Sequence, residues 1–346
     1  MLSIVISNFN YGRFLRDAID SALAQTYPGV EVVVVDDGST DNSGEIIRSY
    51  GDKIIPVLKG NGGLASALNA GFAASRGELV IFLDADDMLF PQTAERVAQI
   101  WDPDIAKVMY WLDLIDRDGR PRGPSWHHRG VPTAEMRALL RVGPVLPIPA
   151  SSGVAYSRKA LNEVLPMPEL RPIGADGYLQ FATPFLGEVM TIRERLGFYR
   201  IHGGNNWSGG PCLEEVRGRL LGSQMTFDLL NDFAAQKGFS FPADWLLRSP
   251  DYVWTRLQSL RMDPATHPYP NDRRFSLMLK GVRSSLSFPR ATVRWRLFNA
   301  LWLTFLGCAP RGAVRAACDF RDVMRGQGLV GRPSVRLLRR LFGSAA

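Results

Sequence analysis

The sequence predicts an α/β fold, a mostly parallel, doubly wound sheet with a helical C-terminal appendage. Three observations predict it. Over the first hundred residues, apolar strands alternate with helices; the fourth strand ends in two carboxylates, Asp84-Ala85-Asp86; and after about Gly210 only helices follow. Parallel strands joined by crossover helices form open sheets, and such sheets bind ligands at the carboxyl ends of their strands.

The elements can be taken in order. Leu2 to Phe9 is an apolar strand, and Phe14, Leu15, Ala18, Ile19, Ala22 and Leu23 then fall on one face of a helix ending before Tyr27-Pro28-Gly29. Val30 to Val35 is β-branched and nearly all apolar, as in a strand covered on both faces. Asp36-Asp37-Gly38-Ser39-Thr40-Asp41 supplies a turn and capping residues for a helix over about Ser43 to Tyr50, closed by Gly51. A strand over Ile54 to Leu58 and a helix over Gly63 to Ser75 lead to the strand Glu78 to Leu83. Pro91 is expected to open a helix reaching Trp101. Beyond it, Val108 to Leu114 and Val189 to Tyr199 read as strands and Thr133 to Arg141 as a helix. Helices are then expected over Leu213 to Lys237, Asp251 to Arg261, Ala291 to Leu306 and Arg311 to Met324.

Length and composition bound the function. The 346 residues, 46% hydrophobic and 22% charged, allow a large core. Cys212, Cys308 and Cys318 are odd in number and lack metal spacing, which suits a reducing compartment and argues against a disulfide framework. The first residues read at once as a strand rather than a signal peptide, and no apolar run reaches the roughly 18–20 residues of a spanning helix, so a cytoplasmic location is expected. The net charge of +7 is uneven: residues 1–272 sum to −6, and the stretch from Arg273 onward carries 15 Lys and Arg against 2 acids. A tail of that kind suits either nucleic acid or an anionic membrane surface.

Adjacent carboxylates repel and are costly to desolvate, and a divalent cation is the usual compensation. A solvated acidic turn ahead of a helix is the plainer alternative for Asp84 to Asp87.

Ser7-Asn8-Phe9-Asn10-Tyr11, Ser21 to Pro28, Val34-Val35-Asp36-Asp37-Gly38-Ser39-Thr40-Asp41, Asn61-Gly62-Gly63 with Ala67 to Gly71, and Leu83 to Asp87 agree in order, spacing and identity with one family. Over residues 1–91 the chain closely resembles the nucleotide-sugar-dependent glycosyltransferases of family 2, which have the GT-A fold; the likeness loosens to about residue 207. The resemblance implies a catalytic domain over 1–207; it does not cover residues 208–346, whose own pattern and charge read as a separate helical, basic region. It also implies an inverting transferase that uses Mn or Mg and a nucleoside-diphosphate sugar to extend a polysaccharide or lipid-linked glycan.

Carried over residue by residue, the resemblance places donor contacts at Ser7, Phe9, Asp37, Asn61, Gly62, Asp84 and Ala85. It places the metal on Asp86 and His202, the latter within Arg200-Ile201-His202. An inverting transfer also needs a base for the acceptor hydroxyl, which the family places at the start of a helix; Asp176 in Gly174-Ala175-Asp176-Gly177 matches, with Ala175 where the family often has a second acid. Alternatives remain for these residues: Asp37 as a turn residue, Asp176 as a helix cap, His202 as a structural histidine. His127 and His128 beside Trp126 look like surface, and Asn206-Trp207-Ser208 fits a glycosylation sequon. The loops around Trp126 and Ser151 to Gly153 are expected to select sugar and acceptor.

Other classes fit less well. Gly60-x-Gly62-x-x-Ala65 imitates a dinucleotide fingerprint, but the first strand–helix turn has only Gly12. A processive membrane synthase needs spans and a Gln-x-x-Arg-Trp motif, and Gln258-Ser259-Leu260-Arg261-Met262 lacks the Trp. A catalytically inactive relative would not need every acid. No nucleic-acid module is recognisable. Trp295 to Leu306, too short to span and flanked by arginines including Arg290, Arg294, Arg311, Arg315, Arg336, Arg339 and Arg340, suits an interfacial helix. Packing on the catalytic domain or a second subunit is the competing expectation for that segment.

Overall fold

The computed structural model describes residues 1–122, 130–144, 148–169, 174–202, 213–289, 291–316 and 318. Expectations for Trp126 to His128, Asn206 to Ser208, Arg290, Arg336, Arg339, Arg340 and the end of the helix over 311–324 lie outside these residues. The chain divides into two units, one of residues 1–137 and 147–201, the other of 138–146 and 202–346.

In the first unit the elements follow the order β1 (Leu2–Asn8), α1 (Gly12–Leu23), β2 (Val30–Asp36), α2 (Ser43–Ser49), β3 (Ile55–Leu58), α3 (Leu64–Ala74), β4 (Leu79–Asp84), β5 (Met88–Leu89), α4 (Thr93–Gln99) and β6 (Ile105–Asp116). There follow α5 (Thr133–Val142), which runs into the second unit, then β7 (Val154–Ser157), α6 (Arg158–Val164), α7 (Ala175–Ala182) and β8 (Glu188–Ile201). The described strands form one sheet in the order β3-β2-β1-β4-β7-β6-β8-β5. The strands β3, β2, β1 and β4 run parallel, and so do β6 and β8; β7 runs against both of its neighbours and β5 against β8. The doubly wound, mostly parallel α/β class therefore holds, with antiparallel pairs confined to the later strands.

Burial explains why these segments became strands. Ile4, Val5, Ile6, Val33, Val34, Val35, Val80, Ile81 and Leu83 are fully buried, as strands covered on both faces require. Helix α3 lies unusually close to the sheet at Gly71, where a Cβ would stand 2.2 Å from a Val5 methyl. The chain builds outward from β1 through β2 to β3, then crosses to place β4 on the other side of β1. That reversal is the switch point where open sheets bind ligands, and Ser7 lies across it in register with Asp84.

In this unit several expectations change. The helix expected from Pro91 starts at Thr93 and ends at Gln99, because the Pro91 carbonyl accepts from the Thr26 amide at 2.8 Å and the Thr93 amide bonds to Phe90 instead. The helix expected to run to Tyr50 ends at Ser49, and a single 3₁₀ turn over Gly51–Lys53 follows. The short elements β5, β7 and α6 were not expected at all.

Lys107 on β6 is fully buried, and its ammonium donates to the Gln180 carbonyl at 2.6 Å. Gln180 sits in the last turn of α7, where helix carbonyls lack intrahelical partners. Burial pulls the Lys107 pKa down to about 7. The unfolded chain therefore binds more protons than the folded one between about pH 7 and the ordinary lysine value, and stability from this group rises with pH across that window. Urea midpoints should show about 2 kcal/mol more stability at pH 9 than at pH 7 from this residue, and Lys107→Met should remove that increment. An identical pH slope in the variant would mean Lys107 is neither buried nor neutralised.

The second unit holds α8 (Leu213–Gln236), α9 (Pro250–Met262), α10 (Arg274–Ser287) and α11 (Val293–Cys308), of which α10 was not expected. Val253, Trp254, Leu257, Leu277, Leu303, Leu306, Val314 and Cys318 form its core. Antiparallel α10 and α11 meet at small residues, since a Cβ on Gly281 or Gly307 would press on Leu303 or Met278. Between α9 and α10, His267 bonds Ser259 at 3.0 Å and Asp272 at 2.9 Å, while Arg256 grips the same Asp272 carboxylate.

Candidate active site

Three strand ends converge at the switch point. From β1 come Ser7, Asn8 and, just beyond, an exposed Phe9; from β2 come Asp36 and Asp37; from β4 come Asp84 to Asp87. Asn8 donates to the Asp36 carboxylate at 2.7 Å and to the Ser39 hydroxyl at 3.1 Å, which ties the turn after β2 to the end of β1. Asn10, with φ of 59°, accepts from the Thr40 amide at 2.7 Å.

Asp37 is buried, and its carboxylate accepts from the Lys59 ammonium at 2.8 Å and from the amides of Gly62 at 2.9 Å and Gly63 at 2.6 Å. It therefore fastens the Lys59–Gly63 loop to the end of β2. An ionised carboxylate offers about four acceptor sites, so about one is left for a ligand. Gly38 has a φ of +78°, and a Cβ there would stand 2.7 Å from the Asn61 amide nitrogen. Only glycine lets the two loops approach so closely.

The acidic run divides by role. Asp87 is fully buried; its carboxylate accepts from the Ser152 hydroxyl at 2.6 Å and from the Arg200 amide at 2.9 Å. The same hydroxyl accepts from the Asp84 amide at 3.1 Å, and Tyr110 donates to the Ser152 carbonyl at 2.8 Å. Arg200, itself buried, donates to the Asp86 carbonyl at 2.9 Å and to Asp17 at 2.7 Å, with its guanidinium 4.9 Å from the Phe14 ring centre. Asp87 and Arg200 thus hold the turn from inside, and Ala85 is buried beneath it. Asp84 and Asp86 are half-buried.

Asp176, on α7, comes to the same place. With Asp84 it lines one cleft, whose other walls include Leu68, Phe82, Ser151, Tyr156 and Leu179. Residue Gly174 takes the N-cap position of α7, and Asp176 is the second residue of the helix. It therefore does not cap the helix, although a carboxylate in a first turn is favourably placed against the helix dipole.

The charges of the site act on one another. Desolvation first, and then the charges of Asp86 and Asp176, raise the pKa of the Asp84 carboxyl to about 8. Burial, with Asp86 and Asp84, pushes Asp87 well above the usual carboxylate range. Tyr11 is raised to about 12 by burial and by Asp86, Asp84 and Asp87, and Tyr199 is raised by burial and the same acids. Four acids share one site, and the charge of each makes its neighbours harder to ionise.

That electrostatic strain is the condition a divalent cation relieves, and the hard carboxylate oxygens suit Mn or Mg. Among the described residues no three His, Cys, Asp or Glu side chains converge as a ready-made metal cage. Such cations are commonly held by one or two carboxylates together with substrate phosphates and water, so the donor set fits an ion that arrives with a diphosphate. His202 is half-buried and is the first residue of the second unit after β8.

Sequence reasoning missed Asp87, Ser152 and Arg200 as the frame of this site. Asp87 was visible as a third acid and Arg200 as part of Arg200-Ile201-His202. The contacts join residues 65 and 113 positions apart in the chain, a separation that no local pattern exposes.

Residues 3–165 match the family model described as glycosyl transferase family 2. An uncharacterised glycosyltransferase of Nostoc sp. is 39% identical over 265 residues, which cover 74% of this chain and 82% of that protein. A shorter match, 46% identical over 100 residues, covers 29% of this chain and 31% of an uncharacterised glycosyltransferase of Rickettsia typhi. Among solved structures, S. aureus TarS residues 1–349 in complex with UDP-GlcNAc matches with a TM-score of 0.50. That match covers 87% of this chain and 88% of the other at 16% identity, so it speaks for the fold alone.

Proposed function

The chain belongs to glycosyl transferase family 2 and is a glycosyltransferase, and we propose that it moves a sugar, with inversion, from a nucleoside-diphosphate sugar to a hydroxyl of a polysaccharide or lipid-linked glycan. One observation carries this reading: Asp84 and Asp176, 92 positions apart in sequence, line a single cleft at the switch point of the sheet.

In this reading the donor lies across the ends of β1, β2 and β4. Ser7 and Phe9 flank its base, and the remaining acceptor site of Asp37 receives a hydrogen bond from the base. Asn61 and Gly62, held by Asp37 and by the close approach of Gly38, form the adjoining wall. Asp84 faces the ribose or the metal shell, with Ala85 packed beneath. Asp86, with the donor's phosphates, would hold a divalent cation whose chemistry is to neutralise charge on the departing diphosphate. The assignment of His202 as a further ligand rests on the sequence resemblance alone.

Asp176 takes the proton of the acceptor hydroxyl as that oxygen bonds to the anomeric carbon. The bond from that carbon to the diphosphate oxygen breaks with its electron pair staying on the diphosphate. Attack from the face opposite the leaving group inverts the anomeric configuration. Tyr156, Phe82, Leu68 and Leu179 line the cleft with mostly apolar surface, which keeps competing water from the reacting carbon.

Placement at the cytoplasmic face of a membrane is part of the proposal. It is supported by the positive stretch from Arg273 onward, which would draw the enzyme to the surface where a lipid-linked acceptor is presented.

A thermal-shift screen of nucleotide sugars with Mn tests the donor. One sugar nucleotide should raise the melting temperature, since ligand at about 100 times its dissociation constant adds about 2.7 kcal/mol of stability. The shift should vanish with chelator. If no sugar nucleotide shifts the protein at millimolar concentration, the donor assignment fails.

A further inference from the structure

The helices α10 and α11 are apolar on two sides. Their inner sides, with Leu277 and Gly281 on α10 and Ala300, Leu303, Leu306 and Gly307 on α11, are buried in the core of the second unit. Their outer sides are apolar as well. On α10, Phe275, Leu279 and Leu286 follow one another at helical spacing and form a stripe. On α11, Val293, Leu297, Leu301 and Phe305 recur every fourth residue and do the same. Val293 is 69% exposed, Leu301 70% and Leu279 62%. An ordinary surface helix turns polar residues outward, and scattered exposed leucines need no explanation. Two apolar stripes on adjoining helices are more than scattered exposure, and exposed apolar patches mark interaction surfaces.

The charge around the patch identifies its partner. Between Arg273 and Cys318 the sequence contains nine Lys and Arg and not one Asp or Glu. Arg273, Lys280, Arg283, Arg294, Arg311 and Arg315 are exposed. A second copy of the chain, docked symmetrically on the same face, would set arginines against arginines with no acid to pair them. Residues 319–346 carry six Arg and two Asp, so they do not supply the missing negative charge either. An anionic lipid surface answers both features, because phosphates meet the guanidinium groups and acyl chains receive the leucine and phenylalanine side chains. Half-buried Trp295 and Trp302 on α11 belong to the residue type that concentrates at the level of lipid headgroups. No described helix is long and apolar enough to cross a membrane.

We propose that the outer face of the α10–α11 hairpin is a membrane-docking surface that lies in the interface of an anionic phospholipid leaflet, its apolar stripes inserted and its arginines on the headgroups. This deepens the membrane placement proposed above and rests on it, but it is independent of the transfer chemistry: vesicle binding is read without turnover, and donor binding without vesicles.

The test is co-sedimentation of the full chain with vesicles of phosphatidylcholine and phosphatidylglycerol at 3:1, compared with phosphatidylcholine alone. Binding should appear on the anionic vesicles at low salt and weaken at 0.5 M salt. Each cation near the surface contributes about fivefold to partitioning, so Arg283→Glu with Arg294→Glu should lower binding at least twentyfold. Leu297→Asp with Leu301→Asp, both at exposed positions, should lower it at least tenfold and leave the melting temperature and nucleotide binding unchanged. Should the leucine pair unfold the protein, the arginine pair alone decides. No binding at low salt overturns the proposal, and so does undiminished binding by the folded variants. Equal binding to neutral vesicles overturns it too, because the arginines would then have no part. Sedimentation equilibrium supplies the remaining outcome: a stable dimer without lipid that Leu301→Asp dissociates would give the face to a second copy and overturn the membrane assignment.

Discussion

Replacing Asp176 with asparagine should lower kcat about 10²- to 10⁴-fold, the range typical of a lost general base, while nucleotide binding stays nearly intact. The substitution keeps the shape and position of the side chain and removes its capacity to take a proton. Helix α7 should survive, because Gly174 rather than Asp176 occupies the N-cap position. Loss of a favourable charge in the first turn costs about 0.3–1 kcal/mol, and removal of its repulsion on Asp84 works in the opposite direction. The melting temperature should therefore move little. Single-turnover rates beside calorimetric nucleotide affinity separate the two effects. A variant with full activity would transfer the base role elsewhere in the cleft, and a variant that loses nucleotide affinity as sharply as kcat would make Asp176 a donor-binding residue.

How much of this arrangement the sequence disclosed depends on the range over which each signal acts. The β-α alternation of residues 1–90 was legible because strands such as Val30–Asp36 are apolar throughout and the turns between them carry glycine and aspartate at the required places. The positions of Ser7, Asp37 and Asp84 at the ends of strands were legible for the same reason: the end of a buried run is visible in one dimension. Helix α10 was not, because its apolar residues lie on both its inner and outer sides and no single helical stripe stands out. The four-residue β7 and the two-residue β5 are strands only by virtue of their neighbours. Asp87, Ser152 and Arg200 depend wholly on tertiary contact. An aspartate in an acidic run reads as solvated or catalytic, and only the fold reveals that this one is buried and binds the loop of Ser152 to the backbone of Arg200. Likewise, Asp37 reads as a ligand contact, and the structure adds that most of its hydrogen-bonding capacity holds the Lys59–Gly63 loop.

Loss of Asp86, whose charge works against its neighbours, should separate function from stability more cleanly than loss of Asp87. Asp87 has protein partners for both oxygens, so its removal would leave Ser152 and the Arg200 amide with unmet hydrogen bonds in the interior. Asp86 contributes to the turn through its backbone carbonyl, which an asparagine retains. Its charge is repulsive toward Asp84, Asp87 and the phenol of Tyr11 in its ionised form. Asp86→Asn should therefore raise the melting temperature of the ligand-free protein while it damages catalysis. Cation stabilisation of a leaving diphosphate is worth several kcal/mol, and each 1.36 kcal/mol is tenfold in rate, so turnover should fall by about 10²-fold or more. The increase in melting temperature given by a sugar nucleotide with Mn should shrink to that seen with the nucleotide and chelator. Differential scanning with and without Mn reads both effects in one protein. If the ligand-free variant melts lower than the parent, Asp86 supports the fold; if it melts higher yet keeps its Mn response, the cation is held without it.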